Sequence, residues 1–294
     1  FLIFWIGFCH LIRKKIAMKL KINFYSLAIA FAFVLVFASC NRERQQWDGE
    51  LTSTIDNNFA DSEFNAIRNL VDTEGTADST IYGKTTGTDG VFCPTSVASV
   101  TITSPTTAEL TIDFGTGSNC LDGRLRTGML HASFNGKWKD AGSTVVITPQ
   151  SYTVAGYGFS FTATTTVNGR DANNKLSWTT DVSNAVLTHP TQGTIRWQGT
   201  RTTTWIEGEG SFNASNYVYE VTGSATGTAR NGLTFVSQVE QPLRVELSCQ
   251  HVVGGVWSVT PQGREKRTID YGNTGCDNQA ILTVGTYSTV LTLP

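Results

Sequence analysis

The sequence is poor in charged side chains and in histidine, and it lacks the short motifs that mark common enzyme families. Charged residues make up only 16% of the chain, so extended charged surfaces are not expected. No nucleophile elbow, zinc-protease motif, phosphate-binding loop or dinucleotide-binding fingerprint is present. There is no CxxC pair, and the histidines after residue 40 stand far apart, at His131, His189 and His251. The sequence therefore predicts no catalytic residue, no cofactor and no metal site.

Long apolar runs are also missing, because the longest one, Phe24 to Phe37, is too short for a comfortable transmembrane helix. It follows a short basic segment that begins at Met18, and it leads into Ala38-Ser39-Cys40. This order is typical of a secretory signal. The cysteine after Phe-Ala-Ser resembles the lipobox of bacterial lipoproteins, which implies cleavage before Cys40 and a lipid on Cys40.

The chain divides into six segments at the sequence level. We expect Phe1 to Ala17 to lie upstream of the true start, because Met18 opens a complete signal without them; an additional membrane segment is the alternative. The later segments are a signal peptide over 18–39, a tether over 40–60, a short helix over 61–75, a linker over 76–90 and a β domain over 91–294.

Basic residues are scarce after the signal. Residues 1–39 hold five of the 22 Lys and Arg and none of the 24 Asp and Glu, which leaves 17 basic against 24 acidic side chains from Cys40 onward. An acidic chain without a basic cluster is a poor binder of nucleic acid. It also offers no polybasic patch to anionic lipid, so we expect the lipid on Cys40 to be what holds the protein at the membrane.

A helix is predicted where apolar residues recur at helical spacing. Asp61 or Ser62 can cap its start, and Gly75 can end it. The recurring residues are Phe64, Ile67, Leu70 and Val71.

From Val91 onward the sequence predicts an all-β fold, because Thr, Gly and Val are abundant and helix signals are nearly absent. Apolar and polar residues alternate, as at Leu130, Ala132 and Phe134, and the alternation extends to Trp138 and recurs from Leu243 to Leu247. We count roughly a dozen strands in hairpin order, enough for one large antiparallel meander that forms a curved sheet, a sandwich or a barrel. Threonine-rich runs fit either face of a strand, so the pattern does not show which faces are covered.

Four cysteines follow the lipidated one, and they form two pairs with the same spacing. The first pair is Cys93 and Cys120, and the second is Cys249 and Cys276. In an oxidising envelope four cysteines indicate two disulfides, for which three connectivities exist. The matched spacing favours Cys93–Cys120 and Cys249–Cys276, each of which would clamp a strand pair.

Each cysteine pair encloses a Thr-Ile-Asp-aromatic-Gly run, at Thr111–Gly115 and at Thr268–Gly272. Carboxylates such as Asp113 and Asp122 are the ligands that calcium prefers, so a calcium site is one interpretation. Aspartate beside glycine is more often part of a plain turn, which is the interpretation we favour.

Several segments resemble an uncharacterised family of all-β lipoproteins from Bacteroidota. They are Asp113-Phe-Gly with its following Cys, Asp122-Gly-Arg124, the run from Thr200 to Gly208, the run from Thr222 to Thr228, and Thr268 to Gly272 through Cys276-Asp277-Asn278. The resemblance covers the helix and the whole β region. It implies an all-β lipoprotein of the outer membrane, and it supplies no active site to transfer. The residues after Cys40, Asn41 to Arg44, carry charges of both signs, so they do not decide whether the protein faces the periplasm or the cell surface.

Two groups of residues are candidates for a functional site. Glu207 and Glu209 share a strand face and could be the carboxylate pair of a carbohydrate-active hydrolase, although their Glu-Gly-Glu-Gly sequence favours solvated carboxylates at the end of a strand. Aromatic residues on an exposed sheet face could stack on sugar rings or dock a protein, although core packing is favoured for each. The candidate ligand platform comprises Trp197, Trp205, Tyr217 and Tyr219. Core packing is least certain for the two tryptophans, because Arg201 shares their strand face.

The sequence as a whole predicts a lipid-anchored protein of the cell envelope with a non-catalytic binding or accessory role. Its expected partners are the membrane, through Cys40, and a glycan or an envelope protein, with no nucleic acid. A hydrolase that uses Glu207 and Glu209, or a purely structural surface lipoprotein, are the alternatives.

Overall fold

The computed structural model describes residues 48–76, 93–120, 122–211, 213–249, 251–273 and 275–292. The predicted signal, Cys40 and nearly all of the predicted linker lie outside these ranges. Within them, no helix combines the length and the apolar character needed to cross a bilayer.

One helix, α1, precedes the sheet and spans Thr52–Thr76. It begins nine residues before Asp61, so the prediction that the tether extends to residue 60 was wrong: residues 52–60 are helical. Its first turns carry Ser53, Asp56 and Asn57, all of which are buried. Apolar periodicity does not predict these turns. The sequence alone does not distinguish a polar residue that is buried and bonded to the sheet from one that is exposed to solvent. Around Ile67, by contrast, the helix lies where apolar spacing predicts it.

The strands form one antiparallel sheet of 14 strands. In chain order they are β1 (Val97–Ser104), β2 (Thr107–Asp113), β3 (Ser118–Asn119), β4 (Leu125–Asn135), β5 (Thr144–Val154), β6 (Tyr157–Arg170), β7 (Leu176–His189), β8 (Gly193–Glu207), β9 (Val218–Thr228), β10 (Thr234–Glu246), β11 (Val252–Pro261), β12 (Arg267–Asp270), β13 (Gln279–Val284) and β14 (Tyr287–Thr292). A short 3-10 helix, Ala214–Asn216, lies between β8 and β9.

The strands pair in the order of the chain, except that β3 pairs only with β4. Strands β1 and β14 each have one partner in the described ranges and are therefore the two edges of an open sheet. The prediction of an all-β antiparallel meander after a short helix is confirmed. We call the sheet face that carries α1 the inner face and the opposite one the outer face.

The core lies between α1 and the inner face. Leu130, Ala132 and Phe134 of β4 are buried in it as their alternation predicts. Trp138 is not part of that strand, because β4 ends at Asn135 and the chain has turned away from the ladder. Leu247 likewise follows the end of β10 and is exposed, so the predicted extension of its strand face was wrong. Each large apolar side chain buried here contributes about 1.5 to 3 kcal/mol to folding.

Both predicted disulfides, Cys93–Cys120 and Cys249–Cys276, are confirmed. The first joins the segment before β1 to the end of β3, and both of its cysteines are buried. The second joins the β10–β11 and β12–β13 connections, and Cys276 is exposed. The disulfides therefore join connecting segments and do not clamp pairs of strands.

The two Thr-Ile-Asp-aromatic-Gly runs form the same local structure at opposite ends of the sheet. One ends β2 and the other ends β12, and these strands run in opposite directions because the sheet is antiparallel throughout. The side chain of Asp113 accepts a hydrogen bond from the backbone N–H of Gly115 at 2.7 Å, and Asp270 accepts one from Gly272 at 2.8 Å. Both glycines have positive φ, as this turn requires. The runs are turns.

Candidate functional site

The inner face of the sheet is closed by α1, which is held by ion pairs as well as apolar contacts. Asp56 pairs with Arg230 at 2.7 Å, and Asp61 pairs with Arg201 at 3.0 Å. Burial raises the pKa of Asp56 above its ordinary value, and the hydrogen bonds and charge of Arg230 oppose that rise. Both carboxylates form ion pairs with arginines of the β domain. The inner face is therefore part of the folded core and is not a free binding surface.

Trp197, a member of the predicted ligand platform, belongs to this core. Its indole N–H donates a hydrogen bond to Asn57 Oδ1 at 2.9 Å, and its ring stacks on Phe64 with centroids 5.1 Å apart. Only 3% of the residue is exposed. Trp197 therefore positions α1 and has no free ring face to offer a ligand.

The other three platform residues, Trp205, Tyr217 and Tyr219, lie together in a second buried cluster with Trp138 and Trp178. The rings of Trp205 and Tyr217 are 4.7 Å apart, and those of Trp178 and Tyr219 are 5.7 Å apart. Trp205 and Tyr217 are buried, and burial raises the pKa of Tyr219. The rings cover one another, so the structure agrees with the favoured interpretation, core packing, and not with the alternative of an exposed platform.

Glu207 and Glu209 do not act as a pair. Glu207 is exposed and meets Arg244 at 3.0 Å, whereas Glu209 binds Arg170 at 2.6 Å and Lys139 at 2.9 Å. The hydrogen bonds from Arg170 are the main cause that lowers the pKa of Glu209 to about 2. A glycosidase acid needs a raised pKa, so the arrangement does not favour a hydrolase at these residues.

A groove of about 840 Å³ runs across the outer face from β7 to β11. Residues that alternate along each of these strands line it, and their side chains are mostly exposed. Of the seventeen residues that line the groove, seven end in an amide or a hydroxyl, and most of the others are apolar or glycine. The amides are Asn184, Gln198 and Gln262, and the hydroxyls are Thr226, Thr228, Thr234 and Thr260.

Strand register brings these side chains into rows. Gln198 lies opposite Thr226, which lies opposite Val236 on β10, and Val236 lies opposite Thr260 on β11. Directly paired residues project to the same face, and neighbouring strands are about 4.8 Å apart, so this row extends over about 14 Å. Gln198 Nε2 donates a hydrogen bond to Thr226 Oγ1 at 3.2 Å, which fixes one amide within the row.

The groove is built on interior strands, since each of β7 to β11 has a hydrogen-bonded neighbour on both sides. Their backbone groups are engaged in the ladder, so recognition here must come from side chains. Sequence reasoning missed the groove because threonine alternation looks the same whether a face is covered or open. The one sequence signal is the concentration of Thr and Gln at one parity of several consecutive strands.

The lining of the groove, as far as the structure describes it, includes two arginines and no Asp or Glu. Arg196 comes from β8, and Arg264 comes from the turn after β11. Arg264 is half exposed and lies 3.5 Å from Asp48. The lining therefore contributes two positive charges and no negative one, on a chain with an excess of acidic residues.

No group of three or more His, Cys, Asp or Glu residues that could hold a metal ion occurs in the described ranges. The carboxylate of Asp122, which belonged to the calcium interpretation, accepts hydrogen bonds from Arg126 at 2.7 and 2.8 Å. It thus has a structural partner of its own.

Comparisons of the chain with protein-family models, with curated proteins and with solved structures found no significant match.

Proposed function

We propose that this chain is a lipid-anchored, non-catalytic binding protein of the outer membrane that holds a glycan in its outer-face groove. The observation that carries the proposal is the lining of the groove by amide and hydroxyl side chains from five neighbouring strands. Amides and hydroxyls both donate and accept hydrogen bonds, as sugar hydroxyls do. Concave surfaces with a few fixed polar groups are the usual binding sites of proteins.

A glycan fits this groove better than a protein partner. A peptide that binds as an added strand needs a free sheet edge, and β7 to β11 are interior strands. Protein interfaces are usually centred on buried aromatic anchors, whereas the aromatic rings discussed above pack inside the fold. The outer side chains of the groove instead present many small polar groups over a length of several sugar units.

The non-catalytic role rests on the chemistry of the lining. General acid–base catalysis uses His, Glu, Asp, Lys, Tyr or Cys, and none of these occurs among the described residues that line the groove. The groove offers groups that orient a ligand and none that would move a proton.

The lipid on Cys40 supplies the membrane attachment in this proposal. Two or more acyl chains on one cysteine are sufficient for stable anchoring, at about 0.8 kcal/mol per buried methylene. A Cys40→Ala variant should fold with an unchanged circular dichroism spectrum and leave the membrane fraction. Retention of this variant in washed membranes would contradict anchoring through Cys40.

The glycan-binding role is tested with the lipidated protein in detergent micelles on an array of neutral and acidic polysaccharides. The double variant Gln198→Ala/Thr226→Ala removes one hydrogen-bonded pair from the groove and should abolish retention. The matched control is Thr283→Ala/Ser288→Ala, which removes an exposed hydroxyl pair, 2.9 Å apart, from β13 and β14 outside the groove. If the unmodified protein retains no polysaccharide, the proposed function is wrong.

A further inference from the structure

Arg196 differs from the other arginines of this protein. It is exposed on β8, and within the described part of the chain its guanidinium forms neither an ion pair nor a hydrogen bond. Every other arginine in those ranges pairs with Asp or Glu. They are Arg68, Arg124, Arg126, Arg170, Arg201, Arg230, Arg244, Arg264 and Arg267. Among the arginines that the structure describes, Arg196 alone is thus left without a carboxylate, in a chain with more acidic than basic residues.

The neighbours of Arg196 on the outer face leave its charge uncompensated. Its cross-strand partners are Val186 on β7 and Thr228 on β9, and Gln198 is the next outward residue on its own strand. None of them carries a charge, so the positive charge stands free in the groove. Arg264 adds a second positive charge on the β11 side, where it is partly balanced by Asp48 at 3.5 Å.

We propose that the groove binds an acidic glycan, whose carboxylate or sulfate group pairs with Arg196 while the amides and hydroxyls contact its sugar hydroxyls. This inference rests on the proposed glycan-binding function and names the substrate class. A guanidinium presents a planar fork of N–H donors that matches the two oxygens of an acid group. An uncompensated arginine among hydroxyls and amides recognises an acid within an otherwise neutral polar polymer.

The test compares polymers that differ only in the acid group. Polygalacturonate is set against its full methyl ester, and dextran sulfate against dextran, with binding to the lipidated protein in micelles measured by titration calorimetry. We expect the acidic member of at least one pair to bind at least tenfold more tightly than its neutral counterpart. A preference for the carboxylated or the sulfated polymer identifies the acid group.

Variants assign the effect to Arg196. Arg196→Gln should lower affinity for the acidic polymer about tenfold to hundredfold, which is what one lost charge-assisted contact is worth. It should also remove most of the weakening that added salt causes. Arg196→Lys keeps the charge without the fork and should recover part of the affinity. Lys137→Gln is the matched control, because it neutralises an exposed cation outside the groove.

The outcomes separate this inference from the function on which it rests. Equal binding of acid and neutral polymers, or an Arg196→Gln variant with unchanged affinity and salt dependence, overturns the acidic-glycan assignment and leaves glycan binding intact. Binding of none of the four polymers overturns the acidic-glycan assignment, and the proposed function fails as well if the polysaccharide array also retains nothing. Binding of polyglutamate without any polysaccharide overturns both and indicates an acidic peptide as the occupant.

Discussion

Glu63 of α1 and Arg126 of β4 are both completely buried, and their side chains meet at 3.2 Å. Arg126 also binds Asp122 at 2.7 Å and donates to the hydroxyl of Tyr152 at 3.1 Å. Burial is the main cause that raises the pKa of Tyr152 to about 12, so its hydroxyl is neutral at physiological pH. The helix is therefore attached to the sheet by a buried ion pair. Removing one partner of such a pair is strongly destabilising, because the other charge is left buried without compensation.

Replacement of Glu63 by Gln should destabilise the protein by about 3 kcal/mol, because it leaves buried positive charge with less compensation. The free energy of unfolding in urea measures the effect. Glu207→Gln is the control: Glu207 is exposed and its pair with Arg244 contributes about 0.5 kcal/mol or less. Equal losses in the two variants would show that the buried pair adds nothing special to the attachment of α1.

Trp197→Phe should cost about 1 to 3 kcal/mol more than Trp178→Phe. Both tryptophans are buried, but only Trp197 has an indole N–H that donates to Asn57, whose oxygen would lose that partner inside the core. The indole N–H of Trp178 has no hydrogen-bond partner among the described residues, so its variant reports the smaller ring alone. Urea unfolding of the two variants gives the difference, and equal costs would contradict the role of the hydrogen bond.

Glu209 should contribute to stability in a way that depends on pH. The hydrogen bonds from Arg170 lower its pKa from 4.5 to about 2 in the folded protein. A lowered folded-state pKa gives stability that is complete above about pH 4.5 and is lost as the pH falls towards 2.

The measurement is urea unfolding of the unmodified protein and of Glu209→Gln from pH 2 to pH 7. The difference between the two free energies should be constant above about pH 5 and shrink towards zero near pH 2. Because part of the carboxylate is exposed, 1 M salt should reduce the difference throughout. A difference that grows as the pH falls would contradict the assignment.

The two disulfides should differ in their resistance to reductant. Exchange requires that a thiolate reach one sulfur, and Cys276 is exposed whereas Cys93 and Cys120 are buried. Cys249–Cys276 should therefore open first in a mild reductant under native conditions, as followed by alkylation and peptide mass spectrometry.

The loops closed by the two disulfides are of equal length, so each should contribute about 3.5 kcal/mol on the chain-entropy model. Replacing either pair by alanine should then cost a similar free energy of unfolding. Simultaneous reduction of both disulfides would contradict the predicted order, and a large difference between the two alanine variants would contradict the common entropic origin.

The sequence predicts those parts of the fold that depend on local pattern. The apolar spacing around Phe64 and Ile67 places a helix correctly, and the equal cysteine spacing predicts both disulfides. The first turns of α1 were missed because Asp56 and Asn57 take their partners from Arg230 and Trp197, far along the chain. Polar residues whose burial depends on such distant partners carry no local signal.

The candidate site depended even more on three-dimensional context. The outward threonines of β9, β10 and β11 read as ordinary strand residues, and their convergence follows only from the register of the sheet. Arg196 is one arginine among several in the sequence. Its distinction is that it has no carboxylate partner in the described part of the chain, which becomes visible only when the partners of the other described arginines are known.

The nearly sequential pairing of the strands has a consequence for how the protein folds. Each strand pairs with one that directly precedes or follows it, so the sheet can grow one hairpin at a time with only short loops to close. The contacts of α1 and of the residues just before it are different, since Asp56 binds Arg230, 174 positions away, and the carbonyl of Glu50 accepts from Arg267, 217 positions away. Because α1 comes first in the chain but contacts strands near its end, we expect the helix to dock only after those strands have formed.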